Sequence, residues 1–284
     1  MTREGLEASN GIRSLDELDA TLENQKRLAE AGNPREQFNV ALGYDRGLGV
    51  SVDKKMAISW YKRSAAAGYA PAQHNLAYAY CNPGEGVHVN KMEAVKWFKK
   101  SAEGGFVESM FILGNTNPYN STIIYLNDRT QAMHWLKKAA QLGHSQAQCD
   151  LGYAYSSGSG LSVDYNQSVK WYKLSSASGC AQAMCNLGNA YADGRGVPVD
   201  NEEAVRLWKL AASLKNEVGQ FYLGRAYFLG EQGLAEDVIE GRRLVKLSSK
   251  NGFMAATEFL SKIDGIQKSF ADAIDEFNRL RPRT

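Results

Sequence analysis

Ser59-Trp60-Tyr61-Lys62 sets a serine three positions before a lysine, the spacing by which penicillin-recognising hydrolases place an amine beside a nucleophilic hydroxyl. That chemistry also needs K-T-G and S-D-N elements, and the chain contains neither. Four histidines (His74, His88, His134 and His144) could ligate a metal or move a proton, but no HExxH or comparable spacing joins them. Cys81, Cys149, Cys180 and Cys185 lack CxxC or zinc-ligand spacing, and Cys180 and Cys185 do not read as a redox pair. Paired glycines such as Gly47-Leu48-Gly49 and Gly194-Arg195-Gly196 resemble half of a phosphate-binding loop, yet no GK[ST] follows them. No catalytic, cofactor-binding or metal-binding residue is therefore expected. A β-lactamase-like hydrolase using Ser59 is kept as the remote alternative.

The chain of 284 residues is 44% hydrophobic and 23% charged, with a net charge of +2. These values suit a folded globular or repeat protein and provide no strong field for nucleic acid or anionic lipid. No apolar run approaches the roughly 20 residues of a membrane helix, so membrane insertion is not expected. The first residues, MTREGLEASNGIRSLDELDATLE, are acidic and have no apolar stretch of a secretory signal. With cysteines expected to be free thiols, the expected location is cytoplasmic. The sequons Asn120-Ser121-Thr122 and Asn166-Gln167-Ser168 then carry no meaning.

What must position any functional side chain is a repeat. Leu42-Gly43, Leu113-Gly114, Leu151-Gly152, Leu187-Gly188 and Leu223-Gly224, with Leu76-Ala77 filling the remaining slot, recur at about 34 to 38 residues, the length of a helix-turn-helix unit. Asp53, Asn90, Asp128, Asp164, Asp200 and Asp237 stand as N-caps for each second helix. A small residue follows (Ala57, Ala94, Ala132, Ser168, Ala204, Gly241), then Trp60, Trp97, Trp135, Trp171, Leu207 or Leu244. This pattern predicts closely spaced helices with a large side chain in the groove between them. Gly68, Gly105, Gly143, Gly179 and Gly252 should end each second helix in a left-handed cap, with Lys215 as the exception.

AQAMCNLGNAYADGRGVPVDNEEAVRLWKLAA (181–212) and PAQHNLAYAYCNPGEGVHVNKMEAVKWFKKSAEGG (71–105) are the best copies. They resemble the Sel1-like repeat, a relative of the tetratricopeptide repeat. The resemblance implies an all-α, right-handed superhelical solenoid of about six repeats, with first helices lining a concave face. It also implies a non-enzymatic adaptor or scaffold with a protein or peptide partner. The expected organisation is an N-terminal segment and capping helix over 1–32, repeats at 33–68, 69–105, 106–143, 144–179, 180–216 and 217–252 within a solenoid over 33–255, and a capping helix over 256–284. An apolar stripe of Ile266, Phe270, Ile274, Phe277 and Leu280 should cover the last repeat. Pro118 should truncate the first helix of repeat three and make 115–127 an irregular excursion carrying Ile123, Ile124 and Tyr125.

In tetratricopeptide-like repeats the side chains two before, one before and two after the leucine face the groove. By that resemblance the partner-binding set is Tyr44 (with Val40 and Ala41), His74, Asn75, Tyr78, Phe111 and Asn115 (with Ile112). The later repeats add Asp150 and Tyr153 (with Cys149), Asn186 and Asn189 (with Cys185), and Tyr222 and Arg225 (with Phe221). This aromatic and amide-rich set suits an extended peptide better than phosphate. An inhibitor or immunity protein blocking a partner enzyme is the alternative that the same groove allows. Replacing Asn186 and Asn189 together with alanine should weaken partner capture about tenfold or more while leaving the melting temperature nearly unchanged.

Overall fold

The computed structural model describes residues 15–82, 88–115 and 129–280, with backbone alone at 15–22, 267 and 270–280. Pro118, Ile123, Ile124, Tyr125, Asp128 and the turn Gly84–Val87 lie outside the described residues. Among those described there are fourteen helices and no strand. Two compact units divide between His144 and Ser145.

The first unit holds α1 (Leu15–Glu30), α2 (Pro34–Arg46), α3 (Lys54–Ala66), α4 (Ala70–Cys81), α5 (Lys91–Glu103), α6 (Val107–Gly114) and α7 (Arg129–Gln141). The second holds α8 (Ser145–Ser157), α9 (Tyr165–Ala177), α10 (Ala181–Asp193), α11 (Asn201–Ser213), α12 (Glu217–Leu229), α13 (Val238–Lys250) and α14 (Met254–Leu280). Within each unit every helix packs on its chain neighbours. This is the stacked helix-pair arrangement of an α-solenoid.

The expected caps are present. Asp53, Asn90, Asp164, Asp200 and Asp237 accept from the amides of Met56, Glu93, Gln167, Glu203 and Glu240. The five glycines that follow second helices have φ between 85° and 95°, and Lys215 adopts the same left-handed conformation at φ 62°. The frame thus overrides the cost of a side chain there.

In four of the repeats the second helix is tied to its own first helix by a buried serine. Ser64, Ser101, Ser175 and Ser248 hydroxyls donate to the carbonyls of Pro34, Ala70, Ser145 and Glu217 at 2.6–2.8 Å. These oxygens belong to first-turn residues of α2, α4, α8 and α12. Ala139 and Ala211, also buried, replace the serine in repeats three and five.

The glycine of Leu-Gly sets how closely the pair approaches. A Cβ on Gly152 would lie 2.7 Å from the Tyr172 ring, one on Gly188 2.6 Å from Trp208 Nε1, and one on Gly114 2.6 Å from the Leu136 amide nitrogen. The side chain nearest that glycine is therefore one place later than the tryptophan column, in which Trp60, Trp135, Leu207 and Leu244 are nonetheless buried. Phe98 is 0%, Tyr172 4% and Trp208 2% exposed, whereas Trp97 and Trp171 are only half-buried. Lys100 Nζ stands 4.6 Å over the Trp97 ring. Trp97 rests on the side of the core and keeps a face in water.

Repeat one corrects the sequence register. Asn33 caps α2, and Gln37 Nε2 donates to Ala29 O as Gln73 Nε2 does to Ala65 O. The Asp53 amide donates to Tyr44 O as those of Asn90, Asp164, Asp200 and Asp237 do to Tyr80, Tyr155, Tyr191 and Tyr227. Val40 and Ala41, 2% and 0% exposed, thus occupy the buried slot of Leu76 and Ala77, and Leu42-Gly43 is a coincidental doublet downstream. Burial defines the slot, and Val-Ala satisfies it as well as Leu-Gly.

The ends are covered by α1 and α14. Ala29 is fully buried against Val40 and Ala41, and Phe253, Ala256, Phe259 and Leu260 pack around Phe221 and Val245. Ile266, expected under the apolar stripe, is 70% exposed. The cover thus comes from the start of α14, and the side chains of Phe270, Ile274, Phe277 and Leu280 lie outside the described residues.

Gly188→Ala should lower unfolding stability by about 1–3 kcal/mol through overpacking against Trp208. Gly265→Ala, with nothing within 4 Å of its would-be Cβ, should raise it by about 0.5–1 kcal/mol by improving helix propensity. Urea unfolding of the two variants checks the opposite signs.

Candidate functional site

With the register corrected, the three candidate groove positions have different fates. Side chains two before the leucine do not stand free: each meets the residue that opens the next first helix. Phe38 packs edge-on against Tyr69 at 5.3 Å between ring centroids, His74 against Phe106 at 4.8 Å, and Phe111 stacks on His144 at 4.3 Å. Cys185 Sγ donates to Asn216 Oδ1 at 3.1 Å, and Phe221 meets Phe253 at 5.3 Å. Cys149 is buried in a core cluster against which Cys180 packs. His74 also shares a 2.8 Å hydrogen bond with Ser109 Oγ, and burial lowers its pKa to about 4. His74 and Phe111, both half-buried, thus pack against the residue that opens the next first helix.

Positions one before the leucine carry polar groups with partners already in place. Asn75 Nδ2 donates to Tyr61 OH at 3.1 Å, and Asn186 Oδ1 accepts from Gln182 Nε2 at 3.1 Å. Tyr222 stacks on Trp208 at 5.5 Å. Asp150 accepts from Gln146 Nε2 at 2.8 Å, but burial outweighs that bond and raises its carboxyl to about 6.

Positions two after the leucine are the most varied. Tyr78 lies edge-on to Phe98 at 5.5 Å, Asn115 is half-buried, and Arg225 pairs with Glu231 at 3.1 Å. Asn189 Oδ1 accepts from Trp208 Nε1 at 3.0 Å. Tyr153 is 58% exposed. Tyr44 is not in this column, because it shares the slot of Tyr80 and Tyr191 described above, and its carbonyl is engaged by Asp53. The asparagines are therefore partnered, which corrects the expectation that their replacement leaves stability untouched.

Three of these residues converge. Tyr153, Asn186 and Asn189 line a pocket of about 320 Å³ in the second unit, together with Ser156, Tyr165 and Arg195. Tyr153 and Ser156 come from α8, Tyr165 from the first residue of α9, and Asn186 and Asn189 from α10. Tyr172, pushed up to about 12 by burial, forms part of the wall, with its hydroxyl 3.3 Å from Ser156 Oγ. Arg195 lies at the rim, 3.4 Å from Asp193.

Sequence reasoning missed Tyr165, Ser156 and Arg195. The available signal was the turn itself: a Cβ at Gly196 would lie 2.3 Å from Tyr165 O. Only glycine lets the turn after α10 press on the start of α9, and this brings Arg195 to Tyr165. Ser59 and Lys62 are both exposed on α3. Among the described residues, no group of three or more His, Cys, Asp or Glu could hold a metal ion, and no helix is long and apolar enough to cross a membrane.

The Sel1 repeat family model matches residues 37–69, 70–106, 107–144, 145–180, 181–216 and 218–253. The chain belongs to the Sel1 repeat family. Sel1 repeats are generally non-enzymatic scaffolds that mediate protein–protein interaction. A protective antigen of uropathogenic Escherichia coli, c5321, with the same repeat fold, is 30% identical with a TM-score of 0.73, over 83% of this chain and 50% of that one. The present chain spans about half the length of that antigen. A Sel1 repeat protein from Oxalobacter formigenes is 30% identical with a TM-score of 0.66, over 76% of this chain and 85% of its own. The immunity protein Pa5087 from Pseudomonas aeruginosa is 18% identical with a TM-score of 0.42, over 76% of this chain and 81% of its own. No curated protein matches the chain.

Because the folded pKa of Asp150 lies above that of an unfolded aspartate, the fold favours the neutral carboxyl. That contribution is complete below about pH 4 and lost as pH rises through about 6. Asp150→Asn should therefore stabilise the second unit by about 1–2 kcal/mol at pH 7.5, with the gain shrinking toward pH 4.5. Thermal unfolding at the two pH values measures the difference.

Proposed function

We propose that this Sel1 repeat protein is a non-enzymatic scaffold that takes an extended peptide segment of a partner protein into the pocket between α8, α9 and α10. The observation that carries the reading is the composition of that pocket. Two exposed tyrosines, Tyr153 and Tyr165, flank asparagines held in fixed orientations by Gln182 and Trp208. Rigid aromatic faces supply contact area at small entropic cost, and oriented amides offer directional bonds to a peptide backbone. The local ionic groups, Asp193 and Arg195, pair with each other, so nothing in the pocket selects for phosphate. The wider candidate set of Tyr78, Asn115, Tyr222 and Arg225 contributes affinity only if the partner extends beyond this pocket. An inhibitor that blocks an enzyme would be one form of the same scaffold, its partner losing activity on binding.

The test selects peptides from a random display library on the whole chain and measures their affinities by calorimetry. Tyr153→Ala and Tyr165→Ala should each weaken the selected peptides about tenfold, and the melting temperature should hold because both rings are largely in water. Asn189→Ala should weaken binding and also destabilise by about 1 kcal/mol, since it strands the Trp208 indole. Affinities indifferent to both tyrosine changes would refute the pocket as the binding site.

A further inference from the structure

The second helices of the first unit, α3, α5 and α7, concentrate positive charge. Together they hold eleven lysines and arginines against two glutamates, in a chain whose net charge is only +2. The rest of the chain is therefore net acidic, and these cations form a patch rather than a general excess. The three helices are contiguous: Trp97 packs on the cluster that holds Trp60 and Tyr61, and Lys99 Nζ donates to Gln131 Oε1 at 3.1 Å. Arg63, Lys100 and Lys138 are exposed and occupy one slot, three residues after the tryptophan column. We propose that this face is a docking site for an extended acidic segment of a partner protein, separate from the pocket in the second unit.

Each of the three cations is held by a ring and not by a carboxylate. Arg63 Cζ lies 4.6 Å over Trp60, Lys100 Nζ 4.6 Å over Trp97, and Lys138 Nζ 5.0 Å over Trp135. A ring face orients a cation without neutralising it. The ion pairs that these helices make among the described residues, Lys54 with Asp45 and Lys96 with Glu93, leave the three out. Cations near a helix C-terminus are favoured by its dipole, but the frame does not demand them. In the second unit the same slot holds Leu174, Leu210 and Leu247, which are also exposed. Like charges gathered on one face repel each other, a cost that those leucines avoid and that a partner of opposite charge relieves.

Spacing and surroundings select the occupant. Packed helices lie about 8–10 Å apart, and an extended chain advances about 3.3 Å per residue. A carboxylate at every third residue would therefore meet one cation per helix. A single-stranded nucleic acid needs open aromatic faces on which its bases stack, and here the cations already occupy indole faces. A long polyanion or an anionic membrane gains little from a chain that is close to neutral as a whole. A short acidic segment matches both the sign and the extent of the patch.

The experiment titrates the whole chain into a labelled peptide with glutamate at every third position among glycine and serine, and follows fluorescence anisotropy at low and high salt. The peptide should bind, more weakly as salt rises, and its glutamine counterpart should not. Combining Arg63→Gln, Lys100→Gln and Lys138→Gln should weaken binding about tenfold. Combining Lys170→Gln, Lys209→Gln and Lys246→Gln removes the same charge from the second unit and should leave the affinity unchanged. Circular dichroism should show the same helix content in both variants. No binding of the glutamate peptide, equal losses in the two triple variants, or tighter binding of oligothymidine or phosphatidylserine vesicles than of the peptide would overturn the proposal.

Discussion

The stack within each unit depends on one recurring contact, in which a side chain in the middle of each first helix meets the residue that opens the next. A helix pair of this length cannot bury its own apolar face, so each repeat is stable only through its neighbours. The contact fixes the next first helix at its start. Its chemistry is free to vary because only occupancy is required. Rings meet at Phe38–Tyr69 and Phe221–Phe253, and a thiol meets an amide at Cys185–Asn216. Buried serine hydroxyls close four of the pairs from the other side, and the small residue after the leucine slot, glycine or alanine, lets the two helices of a pair approach.

These constraints decide where variation can carry function. Positions two before the leucine are consumed by stacking, and those one before it are half consumed by bonds such as Asn75 to Tyr61 and Asn186 to Gln182. What remains available is the position two after the leucine and the residue between the paired turn glycines. Tyr153 and Arg195 occupy these two kinds of position, and they meet in the same pocket. A repeat protein can thus build a recognition site without disturbing its frame, because the variable positions lie where no neighbouring repeat needs them.

Much of the fold was legible because its signals are local. An aspartate N-cap and a left-handed glycine each act within one turn of helix, so their spacing reports the helix ends whatever surrounds them. The errors arise where packing overrides identity. Val40-Ala41 takes the buried slot that Leu42-Gly43 advertises, and Phe98 fills the groove that Trp97 was expected to fill. The candidate site was half legible. Tyr153, Asn186 and Asn189 follow from the repeat frame, but Tyr165 and Arg195 join them through the close approach of Gly196 to the backbone of α9, a contact between segments far apart in sequence. No periodic pattern encodes whether an exposed-looking asparagine has already found Trp208 as its partner.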